Sequence, residues 1–311
     1  MNRRTVPDAF LDLGILMETR SMPVQGVIAG IITPFTAKGS VAWEQLQAET
    51  ELLSRSLVDG LCVGSFMSET EGATPDEMFR LCKAVSGQAK KPAVAMISPD
   101  SQQEASELVQ AVDTGGAKAV IVAQPHYLCQ PSLKGLVGMF AALREETRLP
   151  LVLSNCQRTA MITVEIMRHL VKEKVIDGIL VGGDGAHVMV DLLCLHLDVP
   201  VFSGIEDLHY VGLLMGAQGV ISDLAAIFPG EVAAMYRAHC DGKHDDARSH
   251  HERLVRLWRA LEHPSEQRAR VRSALITRGR NVGRPRSPYN VDEAGFIAEV
   301  RSALEREGSV S

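Results

Sequence analysis

Polar residues that could bind a small carboxylic acid follow two of the aliphatic runs in this chain. The run Leu149–Asn155 ends in Ser154 and Asn155, and Arg158 follows shortly after. A guanidinium group pairs with a carboxylate through two parallel hydrogen bonds, and serine and asparagine can donate further ones. Tyr127, which follows an earlier run, could add a hydroxyl group. Two plainer interpretations stay open: a loop ion pair for Arg158, and a core or interface aromatic for Tyr127.

A second polar group follows the runs that end near residues 183 and 206. Carboxylates and imidazoles of this kind could hold a metal ion that stabilises an enolate. No His-x-His or His-x-x-x-His pair supports such a site, and polar loop residues are common, so we expect neither a metal site nor a cofactor. The residues concerned are Asp184, His187, Glu206, Asp207 and His209.

All these candidates lie at or near the ends of eight short aliphatic runs. Runs that are apolar throughout are typical of parallel strands buried on both faces, and the segments between them have helical spacing. Two of those segments begin with capping boxes, Thr74–Glu77 and Ser101–Glu104. Eight strand–helix units predict an α/β fold, a closed (β/α)8 TIM barrel, over the rival open doubly wound sheet. The runs span 27–35, 58–66, 92–98, 119–125, 149–155, 176–183, 200–206 and 216–225.

The chain divides into an N-terminal extension (1–26), the barrel (27–228) and a helical C-terminal segment packed on the barrel (229–311). Four helices are predicted in that last segment, at 229–240, about 245–262, 265–277 and 291–307. The arginine-rich stretch 268–286 is interpreted as a solvated helix face and a loop.

Composition excludes several classes of protein. The chain has 311 residues and a net charge of −6, which argues against nucleic-acid binding. No apolar run approaches the roughly 18 residues that a membrane helix needs. Six scattered cysteines without C-x-x-C spacing are typical of buried thiols in a reducing compartment, so we expect a cytoplasmic protein.

Several motifs occur in one order along the chain: Gly30–Phe35 with Gly39–Val41, Val58–Leu61 with Glu69, Pro125–Tyr127, Asn155 with Arg158-Thr159, Ser203-Gly204, Gly219–Ser222 and Gly283–Pro288. Together they resemble the dihydrodipicolinate synthase and N-acetylneuraminate lyase family of pyruvate-dependent aldolases and lyases. Pro125–Tyr127 stands where that family has Pro-Tyr-Tyr, and 283–288 resembles its Gly-x-Pro-Arg-x-Pro signature. The resemblance implies the TIM barrel, and it covers about residues 26–307.

This chain departs from the family where the chemistry is done. In the family, a lysine at the end of strand six forms an iminium with the 2-oxo acid, and the iminium is the electron sink. The family's Gly-Ile-Lys reads Gly178-Ile179-Leu180 here, and its catalytic tyrosine corresponds to Ser154. Its Gly-Thr-Thr-Gly-Glu loop, which binds the substrate carboxylate, corresponds to residues 65–69. None of the nine lysines is placed to substitute, so Schiff-base catalysis is not expected.

The resemblance nevertheless implies a binding site and an assembly. It matches Arg158 to the family's carboxylate-binding arginine and Tyr127 to a tyrosine that reaches the neighbouring subunit's site. It also implies a homo-oligomer, a dimer or a tetramer of tight dimers. No residue is assigned a catalytic role; the candidate substrate-binding residues are Arg158, Tyr127, Asn155, Ser154, Phe66, Met67 and Ile221.

Three functions stay open. The first is a lyase- or aldolase-type barrel that binds a small 2-oxo acid or another carboxylate, with the iminium route lost. The second is a non-catalytic ligand-binding or assembly protein on the same fold. The third is an aldolase or hydratase assisted by a metal or an oxyanion site.

Overall fold

Eight parallel strands form a closed barrel in this computed structural model, which describes residues 19–123, 131–156, 162–288 and 293–308. Each strand pairs with the next along the chain, and β8 closes against β1, which confirms the predicted TIM barrel. The strands are β1 Gly26–Gly30, β2 Gly60–Val63, β3 Ala93–Ile97, β4 Val120–Ala123, β5 Leu151–Asn155, β6 Gly178–Gly182, β7 Val201–Gly204 and β8 Gly219–Ser222.

Each strand is shorter than the aliphatic run that predicted it. In the first run, β1 ends at Gly30, because Pro34 has no N–H for a sheet ladder and Phe35 turns back to pair with Val41. Ile31 and Ile32 lie outside the strand but remain fully buried in the main core, which is the apolar cluster between the strands and the helices. Buried loop segments of this kind surround the carboxyl ends of the strands.

Eight helices alternate with or directly follow the strands, and their N-termini explain several boundaries. The Thr74 side chain accepts a hydrogen bond from the Glu77 N–H, as its capping box predicts. The Ser101 hydroxyl likewise accepts a hydrogen bond from the Glu104 N–H. The Glu104 carboxylate in turn accepts one from the Asp100 N–H at 2.8 Å. The helices are α1 Trp43–Arg55, α2 Pro75–Gln88, α3 Gln102–Thr114, α4 Leu133–Glu146, α5 Val164–Lys172, α6 Ala186–Cys194, α7 His209–Leu214 and α8 Leu224–Ile227.

Four further helices follow, as predicted and within three residues of the expected bounds. They are α9 Pro229–Cys240, α10 His244–Leu261, α11 Gln267–Thr277 and α12 Glu293–Arg306. Leu254, Leu257 and Leu261 of α10 are buried in the core that the barrel helices share, which joins this segment to the barrel. None of the helices in the described ranges is long and apolar enough to cross a membrane.

The expectation of a solvated arginine face is wrong for two arginines that lie deep in the protein. Arg272 is 1% exposed, and its Nε donates to Glu69 Oε1 at 2.7 Å. Arg280 is also buried, at 9% exposed, and forms an ion pair with Glu49 through two hydrogen bonds. These pairs fasten the C-terminal segment to the first two barrel units, because Glu49 lies on α1 and Glu69 follows β2. Arginine can be buried in this way only when its donors are paired.

The end of the barrel at which the strands begin is covered by the residues before β1. The Arg20 guanidinium donates to the carbonyl oxygens of Thr147 and Leu149 at 2.7 and 2.8 Å. Val24 is buried in the cluster that fills the barrel. This end is therefore closed, which leaves the carboxyl ends of the strands as the functional face.

Candidate active site

Strand pairing determines which side chains point into the barrel. Ser154 pairs with Leu180, and Leu180 pairs with Phe202, so the three lie on one face of the sheet. Leu180 and Phe202 belong to a buried cluster distinct from the core beneath the helices, which places Ser154 inside the barrel too. This interior cluster comprises Val24, Ile28, Cys62, Val94, Met96, Ala119, Ile121, Val152, Leu180, Phe202 and Ile221, with Met22, Phe66 and Cys156 packed against it.

Leu180, which the resemblance matches to the family's lysine, is fully buried in the interior cluster. A Cβ added to Gly204 would lie 2.9 Å from Leu180 Cδ1 and 3.5 Å from Phe66 Cε2. Leu180 and Phe66 therefore meet beside Gly204, and hydrocarbon fills this part of the barrel. Of the other predicted binding residues, Ile221 joins the same cluster, whereas Met67 packs against the main core.

No lysine in the described part of the chain belongs to this cluster. All nine lysines fall within the described residues, and eight of them are exposed. The ninth, Lys91, donates to the carbonyl oxygens of Ser56, at 2.6 Å, and Val58. Those carbonyls precede β2 and so lie at the opposite end of the barrel.

Ser154 and Cys156, which are two residues apart, lie on the inner face at the end of β5. Ser154 Oγ is buried without a hydrogen-bond partner in the described part of the chain. The Cys156 thiol donates to the Leu180 carbonyl at 3.9 Å. Burial raises the pKa of Cys156 to about 12, and the charge of Asp223 adds to the effect against the opposing Ser154 hydroxyl. Cys156 is therefore a protonated thiol near neutral pH and not a nucleophile.

Asp223 brings a carboxyl group to the same end of the barrel. It follows Ile221 by two residues, so strand alternation points it inward, above the interior cluster. Asp223 is 4% exposed, and its Oδ1 has no hydrogen-bond partner among the described residues. Burial, followed by repulsion from Glu206, raises the pKa of Asp223 to about 7, whereas the Ser65 hydroxyl, the Met67 N–H and Arg268 oppose the shift. A neutral carboxylic acid is thus available near physiological pH.

Two serine hydroxyls link Asp223 to the first barrel loop. Ser68 Oγ donates to the Ile31 carbonyl at 2.8 Å, and Ser65 Oγ lies 2.8 Å from Ser68 Oγ. Since each hydroxyl has one proton and that of Ser68 is used, Ser65 donates to Ser68. Ser65 Oγ and Asp223 Oδ1 both lie within 2.4 Å of the point that a Cβ on Gly30 would occupy, so this serine pair borders the Asp223 carboxyl group.

Glu206 holds the ends of β7 and β8 together. Its carboxylate accepts hydrogen bonds from Ser222 Oγ at 2.7 Å, from Asp223 N at 2.6 Å and from His209 Nε2 at 2.9 Å. His209 Nδ1 in turn lies 3.0 Å from Ser203 Oγ. Glu206 and His209, which were considered as metal ligands, therefore serve each other and the backbone. Within the described ranges, no three His, Cys, Asp or Glu side chains are grouped to hold a metal ion.

The Asn155 side chain also bonds to the protein backbone. Its Nδ2 donates to the Ile162 carbonyl at 3.0 Å, and its Oδ1 accepts from Ile162 N at 2.9 Å. The side chain thereby fixes the start of the segment before α5. Tyr127 and Arg158, the two remaining candidates, lie outside the described residues.

Asp223 is the group whose importance sequence reasoning missed. A detectable signal was nevertheless present in the sequence: Gly219, Ile221 and Asp223 alternate on one face. Its effect on the site depends on Glu206, which lies two residues after the adjacent strand β7, and on the space at Gly30.

Comparison with known proteins places this site in a wider group. The chain matches the Dihydrodipicolinate synthetase family over residues 23–306. It is 28% identical over 287 residues to the 4-hydroxy-tetrahydrodipicolinate synthase of Archaeoglobus fulgidus, covering 90% of this chain and 98% of the relative. The enzyme of the same name from Methanothermobacter thermautotrophicus is 30% identical over 255 residues, covering 77% of this chain and 88% of the relative.

Solved structures agree with the sequence comparison. The 4-hydroxy-tetrahydrodipicolinate synthase from Methylacidiphilum fumariolicum SolV superposes with a TM-score of 0.83 at 26% identity, covering 92% of this chain and 96% of that one. A second crystal structure, of a dihydrodipicolinate synthase, also gives 0.83 at 25% identity, covering 92% and 100%. The similarity thus extends over the barrel and the C-terminal helices.

Proposed function

This chain belongs to the dihydrodipicolinate synthetase family, and from that premise we propose that its barrel mouth binds a small 2-oxo acid or a related carboxylate without forming an iminium with it. The aldolase-like barrel supplies a site at the carboxyl ends of the strands. The chemistry that the family resemblance implies needs a lysine at the end of β6, and this chain has leucine there.

The burial of Leu180 carries the proposal. A Schiff base requires a primary amine that reaches the keto carbon, and Leu180 fills the corresponding place with methyl groups. The eight exposed lysines and Lys91 lie outside the interior cluster. A ligand in the barrel would therefore be held by non-covalent contacts.

The proposal assigns the ligand carboxylate to Arg158, because a guanidinium fork matches a carboxylate in two hydrogen bonds. Tyr127 and Ser154 would supply further hydrogen bonds. We do not include Asn155, since both ends of its amide already bind Ile162. Phe66, Leu180 and Ile221 would form the apolar floor beneath the ligand.

A barrel kept only for assembly is the rival function. Such a protein has no reason to keep buried polar atoms unpaired inside its barrel, because each one costs about 1–3 kcal/mol. Ser154 Oγ and Asp223 Oδ1 have no hydrogen-bond partner among the described residues, and this favours a ligand site. The family resemblance also implies a homo-oligomer, which sedimentation velocity would test.

Borohydride trapping tests the absence of the iminium. The protein is incubated with pyruvate and sodium borohydride, and its intact mass is measured. We expect no mass increase for the pyruvyl adduct, whereas an enzyme of the family that contains the lysine serves as the positive control. A stable adduct on any residue of this chain would contradict the proposal.

Thermal unfolding in the presence of 2-oxo acids separates binding from an inert scaffold. A ligand that binds only the folded state stabilises it by RT ln(1 + [L]/Kd), so the unfolding temperature should rise with pyruvate concentration. No rise with any 2-oxo acid would favour the assembly function. A rise that appears only with added divalent metal would favour the metal-assisted route.

A further inference from the structure

Two buried polar atoms inside the barrel, at the carboxyl ends of its strands, have no hydrogen-bond partner among the described residues. Ser154 Oγ is fully buried, and Asp223 Oδ1 belongs to a side chain that is 4% exposed. Strand pairing points Ser154 inward beside Leu180, and alternation from Ile221 points Asp223 inward. The charge of Asp223 is close enough to raise the pKa of Cys156, which lies beside Ser154. A ligand that bonds to both atoms would remove the cost of burying them unpaired.

Local charge determines which ligand group fits there. Asp223 already lies beside the Glu206 carboxylate, so a ligand carboxylate would be a third acidic group in one buried place. The cation that acts on Asp223, Arg268, is paired with Glu71. A neutral oxygen avoids this repulsion and can still form hydrogen bonds.

We propose that Asp223 and Ser154 bind the neutral oxygen of the ligand, the keto oxygen of a 2-oxo acid, and that Asp223 thereby selects 2-oxo acids over simple carboxylates. This inference rests on the proposed function, because it concerns the ligand of the same barrel mouth. The ligand carboxylate then points away from Asp223 and Glu206.

The protein supplies the donors that a keto oxygen needs. A keto oxygen only accepts hydrogen bonds, so Asp223 must hold a proton to bind it. Two influences favour the protonated carboxyl over the opposing Ser65 hydroxyl and Met67 N–H. Burial and the Glu206 charge act in the same direction on the pKa of Asp223. The Ser154 hydroxyl donates the second hydrogen bond.

Paired ligands and paired variants test this assignment by calorimetry. Pyruvate carries the keto oxygen, and propionate is the matched carboxylate without it. Asp223→Val removes the donor, and we expect it to weaken pyruvate binding about tenfold while changing propionate binding less than about twofold. Asp223→Asn keeps the shape and a donor, and we expect its pyruvate affinity to stay within about threefold of the wild type.

The pH profile provides a second measurement should Asp223→Val not fold. Wild-type affinity for pyruvate should fall as the pH rises through about 7, whereas Asp223→Asn should show no such fall. The other charged or titratable groups around Asp223 are Glu206, Arg268, Cys62 and Cys156, and both proteins keep all four. The difference between the two profiles therefore belongs to Asp223.

Three outcomes would overturn the assignment. Equal losses for pyruvate and propionate in Asp223→Val would show a general effect and not selection of the keto oxygen. Wild-type pyruvate affinity in that variant, or the same pH profile in Asp223→Asn and the wild type, would remove Asp223 from the site. If the wild type binds neither ligand, the proposed function itself fails. The three outcomes above overturn only the assignment of Asp223, so the two kinds of failure are distinguishable.

Discussion

Gly30 and Asp223 face each other across the seam where β1 closes on β8. Asp223 Oδ1 lies 2.3 Å from the point that a Cβ on Gly30 would occupy, and Ser65 Oγ lies 2.4 Å from it. The missing side chain at Gly30 is therefore what makes room for a buried carboxyl group inside the barrel. A glycine on the first strand and an aspartate after the last strand form one structural unit.

Gly30→Ala should be destabilising. Ser65 Cβ lies 2.8 Å from the added methyl group, so the backbone of the loop after β2 must move as well as the two polar atoms. Overpacking of this kind costs about 1–3 kcal/mol of unfolding free energy, which urea unfolding would measure. Gly138→Ala is the control, because nothing lies within 4 Å of a Cβ there on the exposed face of α4. The control should gain about 0.5–1 kcal/mol, and equal effects at both positions would contradict the prediction.

Leu180→Lys should restore an amine to the place from which the family forms its iminium. The new side chain lies among hydrocarbon, and desolvation lowers the pKa of a buried lysine, so a neutral nucleophile forms near physiological pH. We expect this variant to gain the mass of a borohydride-reduced pyruvyl adduct, whereas the wild type does not.

Leu180→Met is the matched control for that experiment, because it keeps a flexible apolar side chain without an amine. It should remain free of adduct and lose less than about 1.5 kcal/mol of stability. A folded Leu180→Lys protein that binds pyruvate but gives no adduct would show that residue 180 does not reach the keto carbon.

Local patterns were sufficient to predict the barrel and its helices. Runs such as 149–155 are apolar on both faces because each strand packs inward on the interior cluster and outward on helices. The boundaries were less accurate, since apolar residues such as Ile31 and Ile32 are buried in loops that no periodicity separates from strands. Leu180, Phe66 and Ile221 were predicted at the site, and the structure brings them into one cluster.

Long-range pairing explains what the sequence did not reveal. Arginine is usually exposed, and the burial of Arg272 depends on pairing with Glu69, which lies 203 residues away in the chain. The raised pKa of Asp223 likewise depends on burial and on Glu206, which follows the neighbouring strand. Neither partner is marked by a local spacing, so each became visible only after the chain was folded.

Arg272→Met should be strongly destabilising. The guanidinium donates to Glu69 Oε1, to the Val282 carbonyl at 2.7 Å and to the Thr33 carbonyl at 2.9 Å. Its loss leaves a buried carboxylate whose remaining donor among the described residues is the Arg286 N–H. Breaking a buried pair in this way costs about 3–5 kcal/mol, measurable by urea unfolding.

An exposed ion pair calibrates this effect. Arg55 pairs with Glu51 on α1, where both side chains are at least half exposed, so Arg55→Met should change stability by less than about 1 kcal/mol. If Arg272→Met were as mild as Arg55→Met, the Arg272–Glu69 pair would not fasten the C-terminal segment to the barrel.

Asp223 should make the folded state less stable as the pH rises. Its pKa is raised from 3.8 to about 7 on folding, so the folded chain holds this proton more tightly than the unfolded chain does. The stabilisation is complete below about pH 4 and disappears as the pH rises through about 7, a change on the order of 4 kcal/mol. Asp223→Asn lacks this change, so it should match the wild type near pH 4 and exceed it in stability near pH 8. Urea unfolding at both pH values measures the difference, with exposed Asp191→Asn on α6 as the control that should show none. A constant offset between Asp223→Asn and the wild type across this range would mean that Asp223 is already ionised in the folded protein.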